Sequence, residues 1–233
     1  MGEVPWTRED MIAKLEEFAL LYERRPVVEN PYGMRSPHMF LAWFVLQAMK
    51  PQAIVESGVG RGAGTWFFEQ ACPDAELYCI EPSPEVIRYR SDRAMYFDSD
   101  FSTMDWEWLP RGDGTVLFFD DHQNALERVK TVERLGFTHL LLEDNYPPGQ
   151  GNCYSLKQAL EHEADAAYLE QHLEVYHELP PVFKLERTRW GDSWDSYPTP
   201  EPLLRSVEEE YQQVFLDEAD TYTWMCYVKI SLR

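Results

Sequence analysis

The run Ile54-Val55-Glu56-Ser57-Gly58-Val59-Gly60-Arg61-Gly62-Ala63-Gly64-Thr65 constrains this chain more than any other. A short β-branched segment ends in an acid, turns through glycines and enters a helix-like stretch, Trp66 to Ala71. Glycine is needed where the backbone takes a positive φ or passes a ligand without a Cβ in the way. Strand, glycine turn and helix start together form the cofactor crevice of a doubly wound α/β sheet. A second strand, Glu76-Leu77-Tyr78-Cys79-Ile80, leads to Glu81, placed to hold a ribose.

Strands and helices alternate from Ala53 onward, which means a mostly parallel sheet. Strands read at 53–57, 76–81, 94–97, 115–120 and 138–143, with helices near 64–71, 84–90, 123–135 and 154–175. A C-terminal hairpin, 213–216 with 222–230 around Asp217 to Asp220, completes an α/β fold of seven strands. Residues 1–50 read as an N-terminal helical extension and 51–233 as the cofactor domain. Thr7-Arg8-Glu9-Asp10 reads as a capping box, and Ser36-Pro37 as a second helix start. The helix after Pro37 is apolar nearly all round, so it is buried under the sheet or in a homo-oligomeric contact. Residues 179–203 have neither period. With Trp190, Trp194 and Tyr197 beside Lys184, Arg187 and Arg189, they suit a lid or substrate loop, or an ordered crossover.

Glu56 decides between cofactors. A carboxylate before the first glycine repels a pyrophosphate, yet attracts the sulfonium and ammonium of S-adenosylmethionine. Glu56, Gly58, Gly60 and Gly62, followed by Glu81, resemble the first motif of class I S-adenosylmethionine-dependent methyltransferases. That resemblance implies a Rossmann-like methyltransferase fold ending in an antiparallel strand, with S-adenosylmethionine as cofactor. Thr65, Asp100, Phe101 and Asp120 join the expected cofactor site, Asp100-Phe101 flanking the adenine. The glycines also fit a dinucleotide pattern loosely, so a nicotinamide-dependent oxidoreductase and a non-catalytic cofactor-binding protein are the alternatives.

Two further strand ends are acidic: Phe119-Asp120-Asp121-His122 and Leu142-Glu143-Asp144-Asn145. In a doubly wound sheet these edges are neighbours beside the crevice. Carboxylates converging there repel one another unless a cation joins them, and an all-oxygen set favours Mg²⁺, with Mn²⁺ or Ca²⁺ as other hard ions. Either Asp120 or Asp121 also suits a helix cap. The pattern is similar to metal-dependent O-methyltransferases, and Glu143-Asp144 to the macrocin O-methyltransferase and cephalosporin hydroxylase-like group. The resemblance implies a metal held by Asp121, Glu143 and Asp144, catalysis by Asp121 and His122, and a sugar, polyol or glycan acceptor. Catechol-type enzymes carry a lysine where this chain has Asn124, which makes His122 the expected base.

A formal charge of −20 disfavours nucleic acid and anionic membranes as partners. Hydrophobic content of 44% is that of a globular chain. Cys72, Cys79, Cys153 and Cys226 have no metal-ligand spacing and read as buried free thiols. No signal-like apolar stretch opens the sequence and the longest apolar run is too short to span a bilayer, so a cytoplasmic enzyme is expected.

Overall fold

The computed structural model describes residues 2–231. Its centre is a seven-stranded sheet: β1 (Ala53–Ser57), β2 (Glu76–Ile80), β3 (Ala94–Phe97), β4 (Gly112–Phe119), β5 (Phe137–Leu142), β6 (Leu173–Glu178) and β7 (Cys226–Ile230). The order is β3-β2-β1-β4-β5-β7-β6, and β7 runs antiparallel to both its neighbours. The order in which the strands are added reverses between the parallel neighbours β1 and β4, the switch point at which such sheets bind ligands. The register pairs Ser57 with both Ile80 and Phe119, and Phe119 with Leu142. Glu81, Asp120 and Glu143 therefore follow at one edge.

Alternation places one hydrophobic core on each face. Val116 and Phe118 point into the first, while Leu117 and Phe119 point into the second. The second core is covered by α5 (Ala125–Leu135), α6 (Leu156–Ala159) and α7 (Glu163–His172). The first is covered by α1 (Arg8–Ile12), α2 (Leu15–Tyr22), α3 (Ser36–Met49) and α4 (Ala63–Ala71). Thr7 and Asp10 form the expected capping box at α1. The apolar residues of α3 are buried within the chain itself, where Phe40 meets Phe18 and Phe215. That burial answers its all-round apolar pattern without a subunit contact.

The segments α8 (Asp192–Asp195) and α9 (Gln213–Asp217) complete the regular structure. The last strand is antiparallel as expected, but its partner is β6 rather than residues 213–216. Those residues are helical, because Phe215 is drawn into the aromatic cluster around Phe18 and Phe40. The helix expected over 154–175 breaks after α6 and stops at His172, where Leu173 and Val175 alternate inward as β6. The helix expected at 84–90 is a single 3₁₀ turn, Pro84–Val86. Beyond it the Arg88 and Tyr89 amides bond Arg61 O instead of continuing a helix.

Candidate active site

Two cavities adjoin at the carboxyl edge of β1, β4 and β5. The smaller, about 350 Å³, lies over the glycine turn and is lined by Glu56, Gly58, Gly60, Glu81 and Asp120. The larger, about 720 Å³, is lined by His38, Glu143, Asp144, Thr223, Arg189 and Trp190, among others. Asp120, His122 and the segment Pro31–Met34 line both, so they mark where two ligands would meet.

Gly58 makes the junction. Its φ is +96°, and a Cβ there would lie 1.9 Å from Asp120 O, so only glycine lets the β1 turn sit against the end of β4. The Gly60 amide donates to Glu81 Oε2 at 2.7 Å, and the Ser83 amide to Glu81 Oε1 at 3.0 Å. These bonds hold the Glu81 carboxylate at the cavity wall. Glu56 is almost fully buried at the cavity floor. Its Oε2 accepts from the Thr65 hydroxyl and, at 3.5 Å, from the Cys79 thiol. Its Oε1 has no hydrogen-bond partner among the described residues, and Gly64 leaves room beside it. Burial raises its pKa to about 8.

Four residues expected in the cofactor site do not line the smaller cavity. Thr65 is fully buried beneath Glu56, which it orients. Gly62 caps α4 in the left-handed region, packed against Tyr89 O. Asp100 is clamped by Arg128 through bonds of 3.0 and 2.6 Å. Phe101 is buried in the second core, stacked on Trp106.

The acidic edge is also rearranged from the expected ligand set. Asp121 turns away from the larger cavity: its Oδ2 accepts from Ser57 Oγ at 2.7 Å and lies 2.8 Å from Arg128 Nη2. Its Oδ1 accepts from the Gln123 amide, so it stabilises the turn. The helix cap itself is Asn124, which accepts from the Glu127 amide. Glu143 is buried; it accepts from Thr223 Oγ1 at 3.1 Å and lies 3.5 Å from His38 Nδ1. Burial and the nearby Asp144 and Asp120 carboxylates push its pKa well up.

Asp120, His122 and Asp144 converge instead, each offering a ligand atom within 4.8 Å of the others. His122 stands at φ +53°, in the left-handed region, with Nδ1 2.6 Å from Asp144 Oδ2. That contact raises the imidazole pKa to about 9. Burial opposes ionisation of Asp144, but His122, Glu143 and Tyr146 together offset it and hold its pKa below the usual carboxylate value. Asp120 is pushed well up by burial, Asp144 and Glu56. This crowding of acids is what a cation or a proton would relieve.

The sequence matches no protein-family model, and no curated protein matches it. Solved structures do. The tRNA (m1A58) methyltransferase TrmI of Aquifex aeolicus superposes with a TM-score of 0.52, over 93% of this chain and 76% of that one, at 10% identity. This chain has the class I methyltransferase fold. Weaker overlays are with the Podospora anserina methyltransferase PaMTH1 bound to S-adenosylhomocysteine (TM-score 0.48, 18% identity, 77% and 95% covered) and an S-adenosylmethionine-dependent O-methyltransferase of Thermotoga maritima (0.47, 14%, 96% and 72%). In this methyltransferase fold the smaller cavity lies at the switch point.

Three features escape the sequence reading. His38, the one imidazole in an otherwise apolar stretch, lines the larger cavity from α3. Its Nε2 accepts from the Thr223 amide at 3.0 Å, its Nδ1 lies 3.5 Å from Glu143 Oε1 without a hydrogen-bond partner among the described residues, and burial lowers its pKa to about 4. Arg128 anchors both Asp100 and Asp121. The turn at 30–33 has no signal beyond Asn-Pro and Gly. Of the irregular segment 179–203, Arg189 and Trp190 reach the cavity, whereas Trp194 is buried against Trp224. Among the described residues no helix is long and apolar enough to cross a membrane.

Proposed function

We propose that this protein is an S-adenosylmethionine-dependent O-methyltransferase acting on a neutral small polyol, sugar or glycan. The observation that carries the reading is the meeting of two cavities at Asp120 and His122, one over the glycine turn and one beside an imidazole–carboxylate pair. Methyl transfer needs a cofactor and an acceptor aligned across such a junction, and alignment supplies much of the rate. Glu56, Glu81 and Asp120 surround the smaller cavity with carboxyl groups, which suits a sulfonium and an ammonium and repels the pyrophosphate of a nicotinamide dinucleotide. Glu81, fixed by two backbone amides, would hold the ribose hydroxyls.

On the acceptor side, Asp144 orients His122, and the imidazole takes the hydroxyl proton when neutral. Asp120 and Asp144 would hold a divalent cation beside it. The fit rests on their crowding, and the adjacent imidazole widens the choice from Mg²⁺ toward Mn²⁺ or Zn²⁺. When bound, such a cation supplies positive charge that makes an acceptor hydroxyl more acidic. The larger cavity does not suit a phosphate or carboxylate. Arg35 lies 3.8 Å from Glu218 and Arg189 3.6 Å from Asp220, so both cationic side chains already face acids. Trp190, half-exposed at the rim, offers a ring face to a sugar.

The test is a panel of vicinal diols, catechols, mono-hydroxyl analogues and phosphorylated sugars, with S-adenosylhomocysteine formation measured with and without EDTA. Turnover of neutral vicinal diols, lost in EDTA, is expected. Full activity in EDTA removes the cation, and preference for a phosphorylated acceptor contradicts the cavity's charge.

A further inference from the structure

The wall shared by the two cavities contains one residue that the fold itself does not explain. Residues 30–33 form a tight turn in which the Gly33 amide donates to Asn30 O at 3.4 Å, with Pro31 and Tyr32 at its centre. Tyr32 takes φ +68°. A positive φ at the third residue of such a turn is the place of glycine or asparagine, because a Cβ is disfavoured there. Tyr32 gains no burial in exchange, since it is fully exposed to solvent. The turn around it is nevertheless well fixed. Asn30 Nδ2 donates to Met34 O at 3.1 Å, and Arg61, from the glycine turn, donates to Glu29 O at 2.8 Å. A bulky aromatic is thus held in an unfavourable backbone conformation, projecting at the junction of both cavities. Strain of this kind persists where the surrounding structure fixes it, and it clusters at ligand clamps and active sites.

We propose that Tyr32 is a ligand-contacting residue, whose ring folds down over the bound cofactor where the two cavities meet. The inference rests on the reading of the smaller cavity as the S-adenosylmethionine site. A phenol ring there would cover the cofactor, keep water from the transfer path and present its face to a sulfonium. Only side-chain rotation is required, because the backbone of the turn is already anchored on both sides.

The experiment is calorimetric titration of S-adenosylhomocysteine into wild type and the variants Tyr32→Phe, Tyr32→Ala and Tyr32→Gly, with thermal unfolding of each ligand-free protein. Tyr32→Phe should stay within twofold of wild-type affinity, while Tyr32→Ala and Tyr32→Gly should each lose about tenfold. Glycine accepts the positive φ, so Tyr32→Gly should also unfold about 2–4 °C higher, whereas Tyr32→Ala keeps the strain and shows no such gain. Wild-type affinity in both truncations would overturn the contact while leaving the cofactor reading intact. A lower unfolding temperature for Tyr32→Gly would show that the ring serves the fold, and would also overturn it. Absence of binding by the wild type would remove the cofactor reading and this inference together.

Discussion

Glu56 shows at the level of one residue how the site is held ready. Its pKa rises from 4.5 to about 8 because the carboxyl is buried with one oxygen unpaired. Folding therefore favours its protonated form. The stabilisation this brings is complete below about pH 4.5 and is lost as pH rises toward 8. A cationic ligand reverses the preference, so cofactor binding at pH 7 should release close to one proton from Glu56, seen as buffer-dependent binding enthalpy. Glu56→Gln should flatten this part of the stability–pH curve in urea unfolding and cost about 1–3 kcal/mol of cofactor affinity. His122 makes a prediction of opposite consequence. With its pKa raised to about 9 by Asp144, its base form grows through the neutral range, and turnover should climb with pH to about 9. Asp144→Asn removes the carboxylate that holds this proton. The profile should then shift toward the ordinary imidazole value with a lower plateau, and an unshifted profile would exclude His122 as the base. Glu56, Gly58, Gly60, Glu81 and Asp120 are legible in the sequence because adjacent strand ends place them locally. The partners of Asp121 and Glu143 are not, since Arg128, His38 and Thr223 reach them only through tertiary packing.

Among elements, α5 does most to fix the edge. Arg128 is buried on this helix and joins Asp100 after β3 to Asp121 after β4. Arg128→Leu keeps the helix but leaves Asp121 to Ser57 and Gln123 and Asp100 to Ser102, so it should cost about 1–3 kcal/mol in urea unfolding with an unchanged slope. A loss below about 1 kcal/mol would mean that Asp121 is held by Ser57 and Gln123 alone. The strands β1, β2, β4 and β5 are legible as apolar runs ended by acids. β6 is not, because its alternation of Leu173 and Val175 is short and directly follows a helical stretch. Residues 213–217 carry a strand-like composition, yet the aromatic cluster around Phe18 pulls Phe215 into a helix. Tertiary burial outweighs local pattern at both places.

Over the whole molecule, the N-terminal helices and the sheet form one folding unit. Phe18, Phe40 and Trp43 pack in the same core as Phe67, Phe118 and Tyr227, so residues 51–233 alone keep the second core but leave the first one open. Deleting residues 1–50 should yield aggregated or unfolded protein by size exclusion and circular dichroism; a monomeric, cooperatively unfolding fragment would contradict this. The same helices bring Pro31–Met34 and His38 to the cavities, which ties ligand binding to the intact chain. Whether the switch-point cavity takes S-adenosylmethionine is decided by isothermal titration of wild type with S-adenosylmethionine, S-adenosylhomocysteine and NADH. One site per chain is expected for the first two, abolished or weakened in Glu56→Gln, with no binding of NADH. Tight NADH binding, or no heat with either adenosyl compound, would contradict that expectation.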